Sequence, residues 1–183
     1  MNWIAWVLLI LVIPLGAPRY FADSGLRWPL KQSTTSYLLV SVLALAGIAA
    51  AIGSHLPAAA SIPHELVIVA SVAAATLGGG PVTETVFRLA AFKGKLGAPN
   101  ASEDEGPSPL RGGMWIGLLE RAAIASTLWA SWPEGLAVVL AVKGLGRFSE
   151  LKQHAAAEQF ILGTFVSVLW ACAAVGVGRV IGF

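Results

Sequence analysis

Long apolar runs, interrupted only briefly by polar or turn-forming residues, constrain this chain more than any other feature. A spanning helix needs about 20 mostly apolar residues at 1.5 Å rise each. Six stretches approach that length: Asn2–Pro18, Ser36–Leu56, His64–Leu77 with an extension to Phe92, Gly113–Ser131, Pro133–Gln153 and Ala157–Phe183. Only 12% of the 183 residues are charged and 56% are hydrophobic, whereas soluble domains carry about 25% charged residues. The sequence therefore predicts an all-α integral membrane protein, a single domain built as a bundle of about six transmembrane helices. Its halves are residues 1–92 and 112–183, three spans each.

The basic residues predict an orientation. Under six spans, Arg19, Arg27 and Lys31 fall in the first loop, and Arg88, Lys93, Lys95 and Arg111 in the third. Lys143, Arg147 and Lys152 belong to the fifth, so ten of twelve basic residues share one side. The positive-inside rule then places both termini outside and these loops in the cytoplasm. Trp3, Trp6, Trp129 and Trp132 fall near the outer interface, and Trp28 and Trp115 near the inner one. Trp170 breaks that pattern and reads as a packing residue. Residues 93–111, rich in Gly, Pro, Ser and acidic side chains, read as a flexible cytoplasmic loop.

Two places stand out inside the apolar runs. The first is Gly78-Gly79-Gly80-Pro81, where glycine freedom and a proline suited to a first helical turn allow a break in the third span. Thr83, Glu84 and Thr85 would then lie beside a half-helix N-terminus, a device of transporters. Alternatively the span ends at Leu77, and Val82–Phe92 lies along the interface with Glu84 and Arg88 paired at i, i+4.

The second is a set of ionisable residues at bilayer depth, each a mark of function by default. Glu120 lies about 9 Å into the fourth span, Lys143 about 14 Å into the fifth and Arg147 about 20 Å. Lys143 is thus near mid-bilayer, unless Gly144 and Gly146 break the helix, and it shares a face with Arg147 and then Glu150. Glu84, Glu120, Glu150 and Glu158 balance Arg88, Arg121, Lys143 and Arg147. Such a set either pairs between helices or lines a polar cavity open to the cytoplasm. There arginine would clamp phosphate or carboxylate and a glutamate would relay protons.

Three ordered motifs carry a resemblance. Gly112-Gly113-x-x-Ile116-Gly117-x-Leu119-Glu120-Arg121 is followed by Lys143-x-x-x-Arg147-Phe148-x-Glu150-x-Lys152 and then Glu158-x-x-x-x-Gly163-Thr164. Together they resemble the C-terminal region of an uncharacterised family of bacterial multi-pass membrane proteins. The likeness covers about residues 112–168. It implies that Glu120, Arg121, Lys143, Arg147, Glu158 and Thr164 act as a unit, and it brings no reaction with it. Gly144 stands where that pattern has serine and Gln159 where it has tyrosine.

Other chemistry finds little support. His64-Glu65 starts like a zinc-protease helix, but Ile68 occupies the second histidine's position. No serine-hydrolase elbow or P-loop occurs. No metal or cofactor is expected, and no nucleic-acid partner. Gly178-x-x-x-Gly182 marks close helix packing near the end of the last span. Cys172 is the sole cysteine, so no internal disulfide forms.

Three functions follow as expectations. The first is a small transport or channel component binding an anionic or zwitterionic solute. Arg121, Lys143 and Arg147 would hold it, and Glu120 or Glu158 would couple protons. The second is an intramembrane enzyme acting on a phosphorylated lipid headgroup. The third is a structural subunit, in a homo-oligomer or a membrane complex, whose charges pair with one another.

Overall fold

A computed structural model describes residues 2–17, 32–55, 62–95, 111–148, 152 and 154–182. They form six helices: α1 (Asn2–Gly16), α2 (Gln32–Ser54), α3 (His64–Lys95), α4 (Arg111–Trp129), α5 (Glu134–Gly146) and α6 (His154–Gly182). Among the described residues there are no strands. Three helical stretches are long and apolar enough to cross a membrane, Ser33–Ser54, His64–Ala90 and Ala156–Gly182, which suggests membrane insertion. The other helices are shorter or carry charge: α1 has 15 residues, α5 has 13, and α4 contains Arg111, Glu120 and Arg121. Residues 96–110, most of the loop read as flexible and cytoplasmic, lie outside the described residues. So do Arg19, Arg27, Lys31, Trp28 and Glu150.

Helix α3 is the hub. It packs on α1, α2 and α4, and most extensively on α6. The α3–α6 pair is antiparallel, and glycines on α6 set how closely it lies. A side-chain carbon at Gly182 would fall 3.1 Å from His64 Nδ1, one at Gly178 would fall 2.7 Å from Ser71, and one at Gly163 would fall 2.6 Å from the Phe87 ring. At mid-seam the roles reverse, and Trp170 of α6 sits over Gly78 and Gly79 of α3. From His64 to Phe87 this seam runs about 34 Å, enough to cross a bilayer core. Gly178 and Gly182 are therefore intramolecular packing positions, and Gly163 serves the same contact. Trp170 is the packing residue that its position in the sequence suggested: it is 5% exposed, and its Nε1–H donates to the Ala74 carbonyl.

The Gly78–Pro81 segment neither breaks α3 nor ends it, because the helix runs unbroken from His64 to Lys95 with Pro81 inside. This corrects both sequence-based alternatives. Proline deletes one backbone donor, here the partner expected by the Leu77 carbonyl. Neighbouring groups can re-satisfy such a site in a packed bundle, and hydroxyls crowd around this one. Thr83 Oγ1 donates to the Gly79 carbonyl at 2.8 Å. Ser36 Oγ of α2 donates to the Pro81 carbonyl at 2.7 Å and accepts from Thr85 Oγ1 at 2.7 Å. The glycines serve proximity: a side-chain carbon at Gly16 of α1 would lie 2.6 Å from the Leu77 carbonyl oxygen. Ala5, Leu9, Val12 and Gly16 form the buried stripe that seats α1.

The fifth predicted span also changes. Helix α5 stops at Gly146, and Arg147 caps it with φ −117° and ψ 14°. Its 13 residues reach only about 20 Å, short of the roughly 30 Å hydrocarbon core. Gly144 and Gly146 face open space and give the helix no packing to extend against. Its start is tighter. Ser131 takes a left-handed φ of 54°, and a side-chain carbon at Gly135 would fall 2.6 Å from Thr127 and 2.7 Å from Trp132.

Candidate functional site

Two adjacent residues in the middle of α4 look in different directions. Successive helical residues are rotated by about 100°, so Glu120 meets α5 while Arg121 enters the seam between α3 and α6. Arg121 is 4% exposed. Its Nε–H donates to the Thr76 carbonyl at 2.9 Å, and Nη1 donates to Ser167 Oγ at 3.4 Å. Its stem fills the slot above Gly79, where a side-chain carbon would lie 2.5 Å from Cδ. Thr76 is one residue from the midpoint of the apolar stretch His64–Ala90, which sets Arg121 halfway along that stretch.

That placement revises the depth argument. A charge removed from water costs several kcal/mol in a protein interior even after relaxation. Arg121 bears that penalty most fully, rather than Lys143. Lys143 lies in the last turn of α5 and makes a direct ion pair with Glu120, the two side chains being 20% and 16% exposed. Its ammonium also lies 5.8 Å from the centre of the Phe160 ring on α6, within cation–π range. A cation near the C-terminus of α5 complements the helix dipole as well.

The remaining described members of the predicted set differ in exposure. Arg147 is exposed and lies past the end of α5, so it no longer continues a helical face with Lys143. Glu158 and Arg88 are exposed and Glu84 is half-buried. Thr164 is half-buried, and its Oγ1 is enclosed with no hydrogen-bond partner among the described residues. It sits one turn before Ser167 on α6. Arg121 thus turns to α3 and α6 and Lys143 to Glu120, so these two cations engage different partners.

A second cluster escaped the sequence reading. Trp129 Nε1–H donates to Ser71 Oγ at 2.8 Å, and Ser71 in turn donates to the Ile68 carbonyl. The Trp129 ring stands edge-on to His64, with centroids 5.5 Å apart, and faces the Arg179 guanidinium at 5.7 Å. Arg179 also donates to the Leu128 carbonyl and contacts Ser131 Oγ at 3.5 Å. These contacts tie the end of α4, the start of α3 and the end of α6 into one polar knot. The spacing of Gly178 and Gly182 around Arg179 was the available signal, since it brings α6 close enough for that arginine to reach α4. Ser167 and the Thr76 carbonyl carried no signal, being a neutral side chain and a backbone atom.

In chemical terms the α4 centre offers one buried cation held by a carbonyl and a hydroxyl, and one ion pair shared with a peripheral helix. Compared with protein-family models, curated proteins and solved structures, the chain matches none.

Proposed function

We propose that this chain is a structural membrane subunit whose charges, set at bilayer depth, hold its helices to one another. The observation that carries this reading is the direct Glu120–Lys143 ion pair between α4 and α5. A carboxylate and an ammonium engaged with each other serve as a clip before they serve as ligands. Arg121 fits the same logic, fastening α4 to the Thr76 carbonyl on α3 and to Ser167 on α6. In this reading all six helices lie in a bacterial plasma membrane, with both termini outside. The three long apolar helices insert on hydropathy alone, and α1, α4 and α5 are carried by packing and pairing. The likeness of residues 112–168 to a bacterial membrane family belongs to the same proposal.

A charge exchange tests the clip. Glu120→Lys combined with Lys143→Glu restores the yield and folding lost in either single variant. Failure of the double variant to recover would sink the reading. Terminal reporter fusions active only outside the cell would separately check the orientation.

One observation favours a second reading, passage of an anionic or zwitterionic solute. Thr164 Oγ1 is enclosed and unpartnered, one turn from the Ser167 hydroxyl that meets Arg121. Flux into proteoliposomes that falls in Thr164→Val, with folding intact, would move the function there.

A further inference from the structure

We infer that the free end of α5 stands in an aqueous funnel, a recess in the bilayer that admits water and small hydrophilic solutes as deep as the Glu120–Lys143 pair. The funnel opens on the membrane face opposite Trp132. The inference rests on the reading that all six helices lie in the membrane, and it holds whether or not that pair acts as a clip.

Depth comes first. Helix α5 starts beside the exposed Trp132 and Glu134, an aromatic and a carboxylate suited to the membrane interface. The end of α4 shares that level, because Trp129 meets His64, the first residue of an apolar stretch long enough to span. From there α5 descends for 13 residues, about 20 Å, and any tilt makes it shallower. A hydrocarbon core of about 30 Å leaves its last turn about 10 Å short of the far interface.

Backbone chemistry then chooses what surrounds that turn. The last four carbonyls of a helix have no partner within it. The N–H groups of Arg147 and Phe148 turn back onto the Gly144 and Leu145 carbonyls at 3.3 Å each, which leaves the others to be met from outside. The space around them is open: nothing lies within 4 Å of where a side chain at Gly144 or Gly146 would begin, and residues 145–148 are all exposed. Hydrocarbon offers a carbonyl no donor, and such backbone occurs at membrane depth only where protein buries it or water reaches it. This turn is not buried, so water reaches it. A lysine or arginine can snorkel to the interface on its flexible stem, but a backbone carbonyl has no such reach.

The side chains divide accordingly. Val138, Val142 and Leu145 form an exposed apolar stripe at i, i+4 and i+7, which suits lipid. Gly144 lies off that stripe, next to Lys143. The ion pair itself is partly open, its two side chains being 20% and 16% exposed, and Lys143 precedes Arg147 by one turn. The same water therefore touches the pair.

The test places single cysteines in the full chain after Cys172, its only cysteine, is changed to serine. Membrane vesicles are labelled with a charged thiosulfonate that does not cross lipid. Such a reagent attacks the thiolate, a form that needs water. Gly144→Cys and Gly146→Cys should label at least about tenfold faster than Phe165→Cys. Phe165 is exposed on α6 at a similar depth, about 20 Å from Gly178, which lies beside Trp129. Val138→Cys should be as slow as Phe165→Cys. Labelling at both glycine positions should come from the membrane face opposite the one that labels Glu134→Cys. Rates are compared among variants that keep the wild-type melting transition, and the two glycine positions test the same water independently. Equal rates at Gly144, Gly146 and Phe165 would overturn the inference, whether all are fast or all are slow. Fast labelling of Val138→Cys and Gly144→Cys from the same face as Glu134→Cys would place α5 outside the hydrocarbon. That result would overturn the six-helix placement and the funnel with it, and it is distinct from equal rates.

Discussion

Removing Lys143 from its pair with Glu120 is the most direct perturbation of the α4 centre. Lys143→Met keeps the length of the side chain and its contact with Phe160, but leaves a carboxylate inside the bundle without its counter-ion. Breaking a buried pair from one side costs about 3–5 kcal/mol, mostly because the remaining charge is stranded. With the two side chains 20% and 16% exposed, water reaches the site in part, and we expect the lower end, about 3 kcal/mol. Glu120→Leu strands Lys143 instead and should cost a similar amount. The double variant strands nothing, and replacing both charges with apolar side chains is neutral or stabilising by about 1–4 kcal/mol in comparable cases. The cycle therefore predicts a coupling of several kcal/mol with a definite sign: each single change is harmful and the pair of changes is mild. Reversible unfolding in mixed micelles, followed by tryptophan fluorescence, measures all four corners. Coupling below about 0.5 kcal/mol, the scatter expected of independent sites, would refute the clip and return both residues to the pool of candidate ligand groups.

Three further outcomes follow from the packing. Gly79→Val would drive a methyl-bearing carbon into Arg121 Cδ and Trp170; overpacking of this kind destabilises by about 1–3 kcal/mol, read in the same titration, and wild-type stability would contradict the arginine slot. Trp129→Phe keeps the ring beside His64 but removes the hydrogen bond to Ser71 and weakens the contact with Arg179; a loss of about 1–2 kcal/mol is expected, and no change would mean that the knot contributes nothing. Pro81→Ala returns the donor that the Leu77 carbonyl lacks, so helical content by circular dichroism should hold and stability should rise, by at most about 3 kcal/mol. A fall instead would show that proline shapes the crossing of α3 over its neighbours.

The helices themselves were legible, because apolar runs bounded by proline, glycine or charge leave few places for ends. The observed limits of α1, α2, α4 and α6 lie within a few residues of those read from the sequence. The Gly78–Pro81 segment misled because the same residues that free a chain in water let helices touch when buried. Only the location of Trp170, Arg121 and Gly16 distinguishes the two uses, and those neighbours come from distant parts of the sequence. Helix α5 is shorter than its apolar run, and Gly144 and Gly146 were the visible warning. Glu120, Arg121 and Lys143 were found as unusual charges. Which of them would meet was unreadable, since a one-residue offset on α4 decides it through packing on three other helices. Periodicity could not resolve that offset in helices apolar on nearly every side.

The antiparallel seam of α3 against α6 has a consequence in time. These helices share the largest interface in the bundle, yet 87 residues separate Lys95 from Gly182. At about 5–20 residues per second of synthesis, α3 waits roughly 4–17 s before its main partner is complete. During that interval Gly78 and Gly79 lack the cover of Trp170, and Arg121 arrives before the hydroxyl of Ser167 exists to meet it. The half-built protein is therefore the form most exposed to quality-control proteases and to assistance from insertion factors. Chains arrested before α6 should be degraded as a class, whatever becomes of the finished bundle.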